Sequence, residues 1–262
     1  MAVSLGGYAP VWMDGLLFDS AVAVRAKLAS QDTRQVSQTV AVVAVDPRSL
    51  ESPELAVLPR AMFSPVWARL IGGLNTAGAK SIGFDFLFSY SANQFQRGYD
   101  RPFMIALSRH RKKVVLGRSA RTTPARNFLA AMRNDPGAMG SMDVFPDEDE
   151  VHRRRRTKHV TDDGAAVATL VGGALTKAGF DKFPRDIILA PRLHPEDAIP
   201  TYALADVLKC AANDPEALAA AFGNRLVFVG TTLPEEDRIV SSARFMRAET
   251  EEKQATGACE LK

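Results

Sequence analysis

The chain has 262 residues, 46% of them hydrophobic, and its 33 basic and 30 acidic residues leave a formal net charge of +3. That is an ordinary α/β composition with enough apolar material for a full core, and the charge is too balanced to point by itself to nucleic acid. The two cysteines, Cys210 and Cys259, have neither a metal-ligand spacing nor a disulfide framework and read as small buried or incidental residues. No window approaches the roughly 18 unbroken apolar residues of a membrane span, since the best candidate, AAVATLVGGALTKAGF, is interrupted by Lys177. The opening MAVSLGGYAPVW lacks the positive flank and long apolar region of a signal peptide.

Residues 11–28 place Met13, Leu16, Leu17, Ala21, Val24 and Leu28 at helical spacing, which predicts an amphipathic leading helix. ASQDTRQVSQT is a polar linker into a first strand, VAVVAV at 40–45, which ends on Asp46. A proline-punctuated loop follows, and loops of that length beside a strand end are more often functional than idle. Ser64 and Pro65 then signal a helix start, Val66, Leu70, Ile71 and Leu74 its buried face, and Gly78 its C-terminal turn. SIGFDFL at 81–87 is the second strand and carries Asp85.

Asp100 with Pro102 opens a short helix through Leu107, and residues 113–117 make a third strand. SMDVF, the acidic turn PDEDE and VHRRRRTKHV predict an inserted hairpin over 138–160. Along such a strand Arg153 and Arg155 face one way and Arg154 and Arg156 the other. With the neighbouring acids Asp147, Glu148, Asp149 and Glu150, and without interleaved aromatics, the run does not read as a nucleic-acid patch.

A helix is expected over 165–178, a short strand over 186–190, a helix capped by Thr201 through Leu208, and another from Asp214 and Pro215 to Gly223. RLVFVG at 225–230 is a last buried strand, running into Thr231, Thr232 and a loop that reaches Asp237. The fold class is therefore α/β, with a mainly parallel central sheet, flanking helices and an inserted β-hairpin. The first two strands are expected to be parallel neighbours joined by a right-handed crossover. In such sheets ligands bind beyond the carboxyl ends of the strands. Asp46, Arg48, Asp85, Thr231 and Asp237, with Arg60 ahead of the crossover helix, are thus the candidate ligand-binding residues, and Arg48 or Arg60 is expected to pair with the two aspartates. The same pattern also suits strand-end caps or an internal salt-bridge cluster.

The order DGLLFD, VVAVDPRSL, LPR, AGAKSIGFDFLFS, PDEDEVHRRR, ALADVLK and RLVFVGTT resembles the CHASE domain, type 2, over about residues 14–240. The resemblance implies the extracytoplasmic sensory part of a bacterial transmembrane receptor, with flanking transmembrane helices and a cytoplasmic adenylate or guanylate cyclase or kinase output. On that reading residues 1–30 form the leading helix, 31–245 the sensor domain and 246–262 a polar tail toward the next membrane segment. The implied partners are an unknown small solute or ion and a second copy of the chain. This chain has Pro47 where members often have a second acid, Val57, Leu58 and Pro59 where they have a tryptophan-proline motif, and Val240 and Ser241 where they have Thr-Pro.

No metal and no cofactor are expected. None of the four histidines, His110, His152, His159 and His194, has a metal-binding spacing, and no GxGxxG follows the first strand. An enzyme using paired carboxylates finds no supporting nucleophile motif. A ligand-free dimerisation module is the other alternative.

Overall fold

The structure, a computed structural model, describes residues 11–28, 39–160, 166–184, 186–188, 199–236, 241–242 and 245. The polar linker before the first strand, Asp237 and the 246–262 tail lie outside these residues.

The leading helix α1 is Val11–Leu28. The first strand β1 (Val40–Val45) ends at Asp46, which caps the short helix α2 (Pro47–Glu51). The crossover helix α3 (Ser64–Thr76) leads to β2 (Ser81–Leu87), and α4 (Arg101–His110), β3 (Val114–Arg118), α5 (Arg126–Ala131) and β4 (Met139–Ser141) follow. Three-residue strands β5 (Arg154–Arg156), β6 (Lys158–Val160) and β7 (Ala166–Ala168) precede α6 (Leu170–Lys177), β8 (Asp186–Ile188) and β9 (Thr201–Ala203). Helices α7 (Leu204–Asn213) and α8 (Pro215–Phe222) return the chain to β10 (Leu226–Thr231).

Six parallel strands form one sheet in the order β4-β3-β2-β10-β1-β9. The first two strands are parallel as expected, but they are not neighbours, because β10 lies between them. The right-handed rule fixes the hand of a crossover and not how many places it skips. It does explain the layering: β1 to β2, β2 to β3, β3 to β4 and β9 to β10 all advance in one direction, so their helices share a face, whereas the return from β4 to β9 puts α6 on the other.

On the first face Ala41, Val43, Val45, Ile82, Phe84, Val114, Leu116, Val227 and Val229 pack under α3, α4, α7 and α8 in one core. Trp67 of α3 meets Phe84 edge-on at 5.7 Å, and Phe103 meets Phe128 at 5.1 Å. Each such side chain contributes about 1.5–3 kcal/mol by burial. Gly78, at φ +83°, ends α3 in the left-handed turn that glycine adopts without strain.

Several helix starts differ from the sequence reading. Ser64 is inside α3, and its hydroxyl donates to Asp100, a fully buried carboxylate that also accepts from Ser91 Oγ at 2.6 Å. Residues 166–168 are strand because they pair antiparallel with β6, so the helix starts only after Thr169, whose Oγ1 accepts from Gly172 N. Likewise Thr201 does not cap a helix: Thr201–Ala203 pair with Val42, Val43 and Ala44 at the sheet edge. The inserted hairpin is β6–β7, one element later than the acidic turn, while β5 pairs with β8. Cys210 is fully buried and disulfide-bonded, which corrects its reading as an incidental thiol. The chain's other cysteine, Cys259, lies outside the described residues.

Candidate functional site

Alternation along the strands sends Val42, Phe228, Gly230 and Asp85 to the second face of the sheet, away from the aromatic core. Phe228 packs over Gly83, which leaves room for its ring; a Cβ there would sit 3.0 Å from it. Asp85 occupies the space over Gly230 in the same way, with a Cβ at Gly230 falling 3.6 Å from its own. Over these residues arch the start of α6, the segment 142–147 and strand β5, and they leave a cavity of about 370 Å³.

Its walls are apolar on the sheet side, through Val42 and Phe228, and on the roof combine Leu170 with the charged Arg154, Arg155 and Arg156. Arg154 is exposed and reaches Asp147 Oδ1 at 3.4 Å, and Arg156 lies 5.8 Å from the centre of the Phe145 ring. Arg155 is half-buried, and burial pulls its guanidinium down from its ordinary value while the charge of Asp85 pushes it back up. Among the described residues no hydrogen bond or ion pair of the Arg155 side chain accompanies that longer-range attraction. The alternation read from the sequence holds here: Arg153 and Arg155 turn inward, Arg154 and Arg156 outward.

Arg153 lies on the same inward side and is 4% exposed. It donates to Asp19 Oδ1 through Nε at 2.9 Å and to Asp19 Oδ2 through Nη2 at 2.8 Å. Its remaining N–H groups go to Asp149, at 2.7 and 2.6 Å, and to Asp147 at 3.1 Å. Every guanidinium donor is thereby used, and the Asp149 and Asp19 carboxylates hold the group charged. Asp19 is wholly buried, and Gly15, one turn earlier in α1, leaves space for the guanidinium.

Of the six candidate residues, the cavity brings together Asp85 and Thr231. Asp46 accepts from Ser49 N at 2.8 Å as a helix cap, and Arg48 pairs with Asp206 at 3.4 Å. Arg60 pairs with Glu236. These three brace the strand-end loops and do not line the cavity, and neither arginine pairs with Asp46 or Asp85 as expected. Asp237 is outside the described residues.

A family model described as the CHASE2 domain matches residues 2–244. The chain belongs to the CHASE2 family. No curated protein and no solved structure matches it. CHASE2 domains are sensory domains of signalling receptors, typically extracellular. Among the described residues no helix is long and apolar enough to cross a membrane. For this CHASE2 domain the sequence reading missed the arginines as site residues. Their two-residue alternation was the signal, but the nearby acids made the run look neutralised.

The leading helix is the other departure. Leu16, Leu17 and Val24 of its apolar stripe are exposed, and among the described side chains of the helix the buried ones are Asp19 and Val22. A charged clamp, with Val22 beside it, chooses the face that meets the domain, which hydrophobic spacing alone did not indicate.

Proposed function

We propose that this CHASE2 domain senses a small solute in the cavity between the second sheet face and β5, and passes the change to α1 through Arg153. The observation that carries this reading is one short segment, residues 153–156, with two tasks. Arg155 faces the cavity beside Asp85, and Arg153, two residues away on the same side, holds the leading helix by Asp19. A solute that shifts β5 must then bias the position of α1 by its differential affinity for the two arrangements. The receptor's output is an adenylate or guanylate cyclase or a histidine kinase, working as a homodimer anchored by membrane segments outside this chain. The disulfide at Cys210 supports an oxidising, extracytoplasmic setting.

Thermal denaturation against a broad solute library tests the reading, because a ligand that binds only the folded state raises its stability. A hit is expected to raise the Tm of the wild type and not of Arg155→Met, and to change amide exchange over residues 11–28. A library without any hit favours a ligand-free dimerisation module. A hit that leaves exchange in α1 unaltered removes the coupling half of the proposal.

A further inference from the structure

The cavity has a chemical bias of its own, and the ligand class it selects rests on its being the sensory site. Its cations and anions are not equally committed. Asp147 receives one hydrogen bond from Arg153 and an ion pair from Arg154, and Asp143 Oδ2 accepts from the Ser141 hydroxyl at 2.7 Å. Arg156 lies against Phe145. Arg155 differs: it is half-buried, it lines the cavity, and among the described residues its side chain makes no hydrogen bond or ion pair. A guanidinium has five donors in a fixed fork and gains most from a planar carboxylate.

A second feature points the same way. The first turn of α6, at Thr169, Leu170 and Val171, opens on the cavity, and a helix N-terminus carries partial positive charge. The lining also has an apolar part, with Phe228, Leu170 and Val42. Asp85, which also lines the cavity, limits how much negative charge the space tolerates, which disfavours a dianion such as phosphate.

We infer that the cavity binds a small organic monoanion, a carboxylic acid with an aliphatic or aromatic body, whose carboxylate is held by Arg155 and whose body packs on Phe228 and Leu170.

Isothermal titration of the folded domain with matched probes tests this. Hexanoate and phenylacetate are set against their amides, hexanamide and phenylacetamide, and against the cations hexylamine and phenethylamine, with inorganic phosphate as the dianion. The carboxylates are expected to bind at least about tenfold more tightly than the amides, as loss of a charge-assisted bidentate contact dictates. Arg155→Met is expected to erase that preference and Arg155→Lys to retain part of it. The wild-type probe series stands without either variant if one fails to fold. Equal binding of acid and amide, or preference for the amines or phosphate, overturns the inference while leaving a binding cavity in place. Silence of every probe also overturns the inference. If the broad thermal library is silent too, the sensory reading falls with it.

Discussion

Arg153 grips Asp19 with two parallel hydrogen bonds across 134 residues of sequence. The pair is almost fully withdrawn from water, at 4% and 0% side-chain exposure, and it ties the leading helix to the turn that precedes β5. Removing one partner of such a pair strands a buried charge, which typically costs about 3–5 kcal/mol. Arg153→Ala is therefore expected to lower stability by about that much, and Asp19→Ala by less, because Asp149 and Asp147 still neutralise the guanidinium. Amide exchange should show α1 losing protection first. If α1 keeps its protection in both variants, the clamp is not what holds it.

The exposed stripe of the same helix gives the opposite expectation. Leu17 and Val24 are 53% and 54% exposed, so replacing both with serine should change the isolated domain's stability by no more than about 0.5 kcal/mol per site. Val22, 6% exposed, should cost more when changed to serine. Urea denaturation of the three variants separates the faces; equal losses on both would place the packing surface elsewhere.

Acid should weaken the domain at a defined pair. Lys177 Nζ donates to Asp135 Oδ2 at 2.7 Å, and this bond with that from Gly137 N holds the Asp135 carboxyl below its ordinary value of 3.8. Because the folded group is the stronger acid, its contribution is complete above that ordinary value and disappears as pH falls through the lower, folded one. The stability difference between the wild type and Asp135→Asn should thus shrink as pH drops below 3.8. The carboxylate is partly exposed, so the gap at neutral pH should be small. A gap that widens toward acid contradicts the assignment.

The approach of α6 to the chain before it depends on Gly172. A Cβ at that position would lie 2.1 Å from the Thr157 carbonyl oxygen, a backbone atom that cannot swing aside. Gly172→Ala should therefore destabilise by about 1–3 kcal/mol, read from its urea midpoint. An unchanged midpoint would mean that α6 slides freely on its neighbour. Reduction of the Cys210 disulfide should likewise lower the Tm under conditions that leave a Cys210→Ala variant unaffected. A thiol titration that finds both cysteines reactive in the untreated folded protein would refute the bond.

How much of the fold was legible in the sequence depends on the range of each signal. The apolar runs of β1, β2, β3 and β10 marked strands to within a residue or so, because burial on both faces leaves little room for polar side chains. Asp46 and Asp85 were recognisable as strand-end acids, but their different fates were not. Whether Asp46 caps a helix depends on Ser49 N, and where Asp85 points depends on Gly230, a neighbour 145 positions away whose placement needs β10 inserted beside β2. Thr201 illustrates the limit at short range. A three-residue edge strand and a helix cap look alike until the partner, β1, is in place.

The insertion of β10 between β1 and β2 also governs how this domain can be made. The middle of the sheet is supplied by residues 226–231, so an emerging chain that stops short of them holds two half-sheets with a gap where their hydrogen-bonding edges should meet. Such long-range closure is slow and leaves strand edges open meanwhile. A chain made residue by residue must stay unfolded, or shielded, until nearly all of this domain has emerged. Cutting it before Thr231 should yield aggregates rather than a smaller sensor.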